Sequence, residues 1–156
     1  MRQFTRIIGV PGLSNLGVVR DGAVYRSAQP TSYEGFSAYL GGKSVLCLRE
    51  SDHRSDAEKA GLIYIPFHLN VLSNITIDDC DLLIAAMMNR ANWPMLVSCR
   101  DGVDRTGFTS ALHRLSQDGW TLADALEEMD QYGAHEILDP LLIKHLTDYA
   151  EAKGFK

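Results

Sequence analysis

The chain has 156 residues, a formal net charge of −5 at pH 7 and 46% hydrophobic residues. That length suits one domain with a substantial core, and the acidic balance argues against a nucleic-acid surface. No apolar run approaches the ~20 residues of a membrane span, and the polar first residues lack the apolar stretch of a secretory leader.

In chain order the pattern is α/β. Ala23–Arg26 is the first strand candidate. Residues 32–40 follow as a helix, with Tyr33, Phe36, Tyr39 and Leu40 assigned to one side, stopping at Gly41-Gly42. Ser44–Leu48 is the next strand, Asp56–Ala60 a short helix closed by Gly61, and Ile63–Pro66 another strand. Thr76 with Asp79 resembles a capping box for a helix that buries Ile77, Cys80, Leu83, Ile84 and Met87. Met95–Ser98 is the last strand, and Phe108, Ala111, Leu112 and Leu115 recur at helical spacing beyond it. Gly119 ends that helix, Thr121 starts another carrying Leu122, Ala125, Leu126 and Met129, and Asp139-Pro140 supplies an N-cap and first-turn proline for a final one. The expectation is a small central, largely parallel sheet of about four to five strands flanked by helices, with short apolar strands covered on both faces.

Between the last strand and its helix lies Ser98-Cys99-Arg100-Asp101-Gly102-Val103-Asp104-Arg105-Thr106-Gly107. A cysteine at a strand end with an arginine on the next helical turn suits an anion nest: amides from 100 to 105 turn inward at a positive helix end. The same field favours a thiolate, the nucleophilic form of cysteine. The three cysteines (Cys47, Cys80, Cys99) are scattered and have no metal-ligand spacing, which points to a reducing, cytoplasmic setting with no metal or cofactor. Cys47 and Cys80 read as core, and His113, His135 and His145 show no ligand spacing.

The Cys-x5-Arg-Thr-Gly loop resembles the active-site loop of the cysteine-dependent protein tyrosine phosphatase superfamily. Val24-Tyr25-Arg26-Ser27-Ala28-Gln29-Pro30 resembles the opening of its compact atypical dual-specificity branch, and Lys43–Arg49 sits where that branch has a buried strand ending in Leu-Arg. The resemblance runs over roughly residues 20 to 120 and implies one phosphatase domain across 1–156. It implies that Cys99 attacks phosphorus to form a phosphocysteine and that Arg105 binds two equatorial oxygens. It further implies that the backbone of Arg100, Asp101, Gly102 and Val103 cradles the phosphate, with the Thr106 hydroxyl near the thiolate. Gly102 and Gly107 would permit close backbone approach. Arg26 and Arg49 are expected to bind carbonyls or carboxylates behind the loop.

Two departures from the family pattern stand out. Ser98 occupies the position usually held by histidine, although its hydroxyl is still able to hydrogen-bond loop backbone. The stretch Phe67–Ile75, where the family usually carries an aspartic general acid, has no carboxylate. Asp104, within the loop, is the first candidate for that acid, by resemblance to myotubularin-type lipid phosphatases; His68 is the second. The loop aspartate favours an inositol phosphate or phosphoinositide as substrate, with a phosphotyrosine protein as the alternative. A non-catalytic phosphate-binding pseudophosphatase is the reading from another class. The partner is then a phosphorylated small molecule, a lipid head group or a phosphoprotein, with no nucleic acid.

Overall fold

A computed structural model of the chain describes residues 5–70, 72, 74–133 and 139–156. Four short apolar segments form the parallel body of the sheet: β3 (Val24–Ala28), β4 (Ser44–Cys47), β5 (Ile63–Pro66) and β6 (Met95–Cys99). Before them, β1 (Thr5–Arg6) and β2 (Gly17–Arg20) add an antiparallel edge. The sheet therefore has six strands, in the order β1-β2-β3-β6-β4-β5, rather than the four to five expected. The extra two escape the apolar pattern because β1 is polar and exposed and β2 is only four residues long, with a register shift between Val18 and Arg20.

Alternation along the strands sorts the core into two layers. Val24, Leu46, Met95, Val97 and Cys99 face one cluster, while Tyr25, Val45, Cys47 and Leu96 face the other. The first layer is completed by α3 (Ile77–Met87), α4 (Asp104–Gln117), α5 (Leu122–Gln131) and α6 (Asp139–Lys153). On the opposite face, α1 (Glu34–Leu40) and α2 (Arg54–Lys59) contribute Phe36 and Ala57. Tyr39 is a correction: it is 65% exposed. Six residues past Tyr33 the helix has turned about 600°, which leaves Tyr39 about 120° around the helix from Tyr33.

Local chemistry sets the helix starts. In α3 the Thr76 hydroxyl accepts from the Asp79 amide (3.1 Å) and the Asp79 carboxylate accepts from the Thr76 amide (2.9 Å), the reciprocal box expected. Thr121 and Asp124 repeat it at α5. The last helix begins at the Asp139-Pro140 pair, but the capping role expected of the Asp139 side chain lies outside the described residues, as does His135. No helix among the described residues is long and apolar enough to cross a membrane.

The candidate active site

Cys99 is the last residue of β6, paired in register with Ala28 of β3, and only 3% exposed. From there the chain is held from behind, carbonyl by carbonyl. The Leu48 amide donates to Ser98 O (2.9 Å) and the Gln29 amide to Arg100 O (3.1 Å). Asn15 Nδ2 donates to Asp101 O (3.2 Å) and Gly102 O (3.3 Å), and Arg26 Nη2 donates to Gly102 O (3.0 Å). A trans peptide directs its N–H opposite to its C=O. With the carbonyls of residues 100–102 tied to the body, the amides of Asp101, Gly102 and Val103 turn to the loop's inner side. That is the arrangement an anion needs.

Gly102 makes this turn possible. Its φ of +69° is left-handed, and a Cβ there would collide with the backbone of Ser27 and Ala28. Gly107 is different from the expectation: a Cβ would lie 3.4 Å from Met129 Cγ and 3.7 Å from Arg26 Nη2, ordinary contact distances.

Arg26 is fully buried, its guanidinium 3.5 Å above the centre of the Tyr132 ring. Burial pulls its pKa down to about 10, against the raising influence of Tyr132, Glu128 and Cys99. Glu128 of α5 lies 4.0 Å from Arg26 Nη1 and accepts two hydrogen bonds from Arg114, at 3.1 and 2.9 Å. Arg114 continues to the carbonyls of Val18 and Val19 and to Asp118. Arg26 thus binds a loop carbonyl and lies beside a carboxylate, as expected, although its Nε and Nη1, like the Arg49 Nε, are buried with no hydrogen-bond partner among the described residues.

The front of the loop is built differently. Asp104 opens α4 and is 8% exposed. Arg105, one residue on, donates from Nη1 to Glu50 Oε2 at 3.3 Å, and His68 Nε2 lies 3.7 Å from the same oxygen. Glu50 is mostly exposed, and its carboxyl sits below the usual range through a backbone hydrogen bond in its own loop and the nearby Arg105 and His68. Two buried hydroxyls stand without partners. Ser98 Oγ is buried and bonds no loop backbone among the described residues, and Thr106 Oγ1 is buried with no hydrogen bond to Cys99 or any other described residue. Arg100 and Asp101 are exposed, and Val103 is buried. All three cysteines are free, and among the described residues no cluster could hold a metal ion.

Sequence reasoning missed Glu50 and Glu128. Glu128 left a signal: it falls three residues after Ala125, on the stripe that buries α5. Glu50 left none, since its partner Arg105 is 55 residues away.

No protein-family model matches the chain. Over 163 aligned positions it is 31% identical to a Scheffersomyces stipitis protein named "Putative tyrosine-protein phosphatase OCA1", covering 86% of this chain and 74% of that one. The chain belongs to the compact, atypical branch of the cysteine-dependent protein tyrosine phosphatases. It is 29% identical over 116 residues to the dual specificity protein phosphatase TpbA of Pseudomonas aeruginosa, covering 70% of this chain. That alignment spans about half of TpbA, 51%. The phosphatase fold is shared as well. The crystal structure of TpbA superposes with a TM-score of 0.80 at 20% identity, over 97% of this chain and 96% of that one. The core catalytic domain of the PP-IP phosphatase SIW14 from S. cerevisiae, in complex with citrate, gives 0.75 at 22% identity, over 94% and 96%.

Proposed function

We propose that this chain hydrolyses phosphate monoesters through a phosphocysteine formed on Cys99, within a single catalytic domain. The observation that carries the reading is the loop's orientation: amides turned inward between a buried thiol at a strand end and the Arg105 guanidinium. The Cys99 thiolate attacks phosphorus, an Sγ–P bond forms and the P–O bond to the leaving group breaks. Inward amides of Asp101, Gly102 and Val103, with Arg105 on two equatorial oxygens, stabilise the charge on the transferring group. Asp104 gives a proton to the departing oxygen. Water then cleaves the Sγ–P bond, releasing inorganic phosphate and restoring the thiolate, to which the Thr106 hydroxyl is available as a hydrogen-bond donor. The reduced thiol suits a cytoplasmic setting.

For the substrate we favour an inositol phosphate or phosphoinositide. The structural neighbour SIW14 is named a PP-IP phosphatase, and the loop aspartate supports the same class. A phosphotyrosine protein is the second reading, favoured by a structure of TpbA in complex with pTyr. Side-by-side hydrolysis of inositol hexakisphosphate, soluble phosphoinositides and phosphotyrosine peptides separates them.

Cys99→Ser tests the chemistry. Turnover should vanish while phosphate binding persists; steady-state hydrolysis at even about a tenth of wild type would remove the nucleophile assignment. Wild-type protein that binds phosphate and turns over none of the panel is a pseudophosphatase. Asp104→Asn tests the acid: hydrolysis of an alkyl phosphate should fall about 10²–10⁴-fold, and that of a nitrophenyl phosphate far less, because nitrophenolate departs without a proton. If His68→Asn gives that leaving-group-dependent loss instead, the acid is His68.

A further inference from the structure

We infer that the cleft adjoining Arg105 is a second anion subsite formed by Arg49, Arg54 and His68, and that the substrate accordingly carries a second phosphate group. The inference deepens the phosphomonoesterase reading and rests on it for what happens at Cys99.

The cleft is lined by Arg49, Arg54 and His68 together with Glu50, Asp52 and Tyr64, among others. Its two carboxylates are already engaged. Glu50 Oε2 faces Arg105 Nη1 (3.3 Å) and His68 Nε2 (3.7 Å), and Asp52 Oδ1 accepts from the Arg54 amide (2.9 Å). Among the described residues Arg49 has neither an ion-pair partner nor a hydrogen bond for its buried Nε. Buried donors are nearly always satisfied; Arg26 Nε and Nη1 are also unpartnered but lie in the core, whereas the Arg49 Nε borders an open cleft and can take an acceptor that a ligand supplies. Arg54, at present 3.8 Å from the exposed Glu58 Oε1, supplies the second charge. Its guanidinium stacks 5.1 Å over the Tyr64 ring, and Tyr64 in turn accepts from the His53 amide at 3.1 Å, which fixes the ring beneath it. The one carboxylate oxygen between Arg105 and His68 marks where the guanidinium and the imidazole converge. A ligand with one phosphate in the loop and another in the cleft would satisfy both sides and displace Glu50. The aromatic ring of a phosphotyrosine would bring no charge to meet these cations.

Equilibrium binding to the full chain carrying Cys99→Ser tests the subsite without turnover. The probes are inositol hexakisphosphate, whose phosphates present several spacings, and inorganic phosphate, which needs the loop alone. Adding Arg49→Met should raise the dissociation constant for the hexakisphosphate at least about tenfold more than that for inorganic phosphate. Arg54→Met, at a half-exposed position, should move the same ratio in the same direction by a smaller factor. Cosedimentation with phosphatidylcholine vesicles doped with a phosphatidylinositol bisphosphate, lost in Arg49→Met, would assign the second phosphate to a lipid head group; tight binding of the soluble probe alone assigns it to a free inositol phosphate. Ratios unchanged within about twofold in both variants overturn the subsite, even where the wild type hydrolyses phosphate esters. A shifted ratio in a protein that hydrolyses no phosphate ester upholds the subsite and overturns the reading of Cys99.

Discussion

Behind the Cys99 loop, Glu128 meets Arg114 at 2.9 and 3.1 Å and Arg26 at 4.0 Å, with all three side chains buried. In front of it, Glu50 meets Arg105 at 3.3 Å, with the two side chains 64% and 18% exposed. The chemistry is the same carboxylate–guanidinium contact; the solvent is not. The rear charges have left water and can neither dissociate cheaply nor be replaced by it, so they fix geometry. The front pair borders solvent, where ion pairs contribute little, and can be exchanged for a phosphate. One loop thus has a permanent partner on one side and a replaceable one on the other.

The largest effect should come from Glu128→Ala, which leaves the buried Arg26 guanidinium without a carboxylate and Arg114 with Asp118 alone. We expect a loss of about 3–5 kcal/mol in urea denaturation; a loss below about 1 kcal/mol would mean that the rear network is not the fixed side of the loop. Next comes Arg26→Met, which removes a charged donor from Gly102 O. It should cost about 1.5–3 kcal/mol and weaken binding of inorganic phosphate, because the amides of 101–103 lose their aim. Unchanged phosphate affinity would separate the tether from the cradle. Glu50→Gln should leave the urea denaturation midpoint unchanged and tighten phosphate binding a few-fold by freeing Arg105; weaker binding would show that Glu50 holds the guanidinium in place. The smallest effect is that of salt. Raising ionic strength from about 0.1 to 1 M shortens the screening length from about 10 to 3 Å, so the Glu50→Gln gain should shrink while the Glu128→Ala deficit persists.

The same contrast governs what could be read from the residues. β3, β4, β5 and β6 were visible as apolar runs, the Thr76 box as a spacing, and the Cys99 loop as a motif, because each is carried by neighbours in sequence. Arg26 was placed behind the loop as a partner of carbonyls or carboxylates, and there it donates to Gly102 O. β2 was legible in principle: Asp21-Gly22, with Gly22 at φ +71°, is a turn signal that pairs Arg20 with Val24. The unmatched hydroxyl of Ser98 and the Glu50–Arg105 contact were not legible. Both depend on how distant segments meet around the loop, and no local pattern encodes that.

The strand order carries one more consequence, for how the molecule comes into being. β3 and β4 are complete by residue 47, yet they share no ladder; each pairs with β6, which arrives at residue 95 and slots between them. Joining them demands closing loops of some tens of residues, the slow kind of contact in folding. The segment that closes the sheet is also the one that ends in Cys99. Until it is seated, Arg26 and Leu48 have no loop carbonyl to hold and the amides have no direction to point. A partly folded chain therefore owns the cysteine but not the cradle, and the anion site comes into existence only with the insertion that completes the fold.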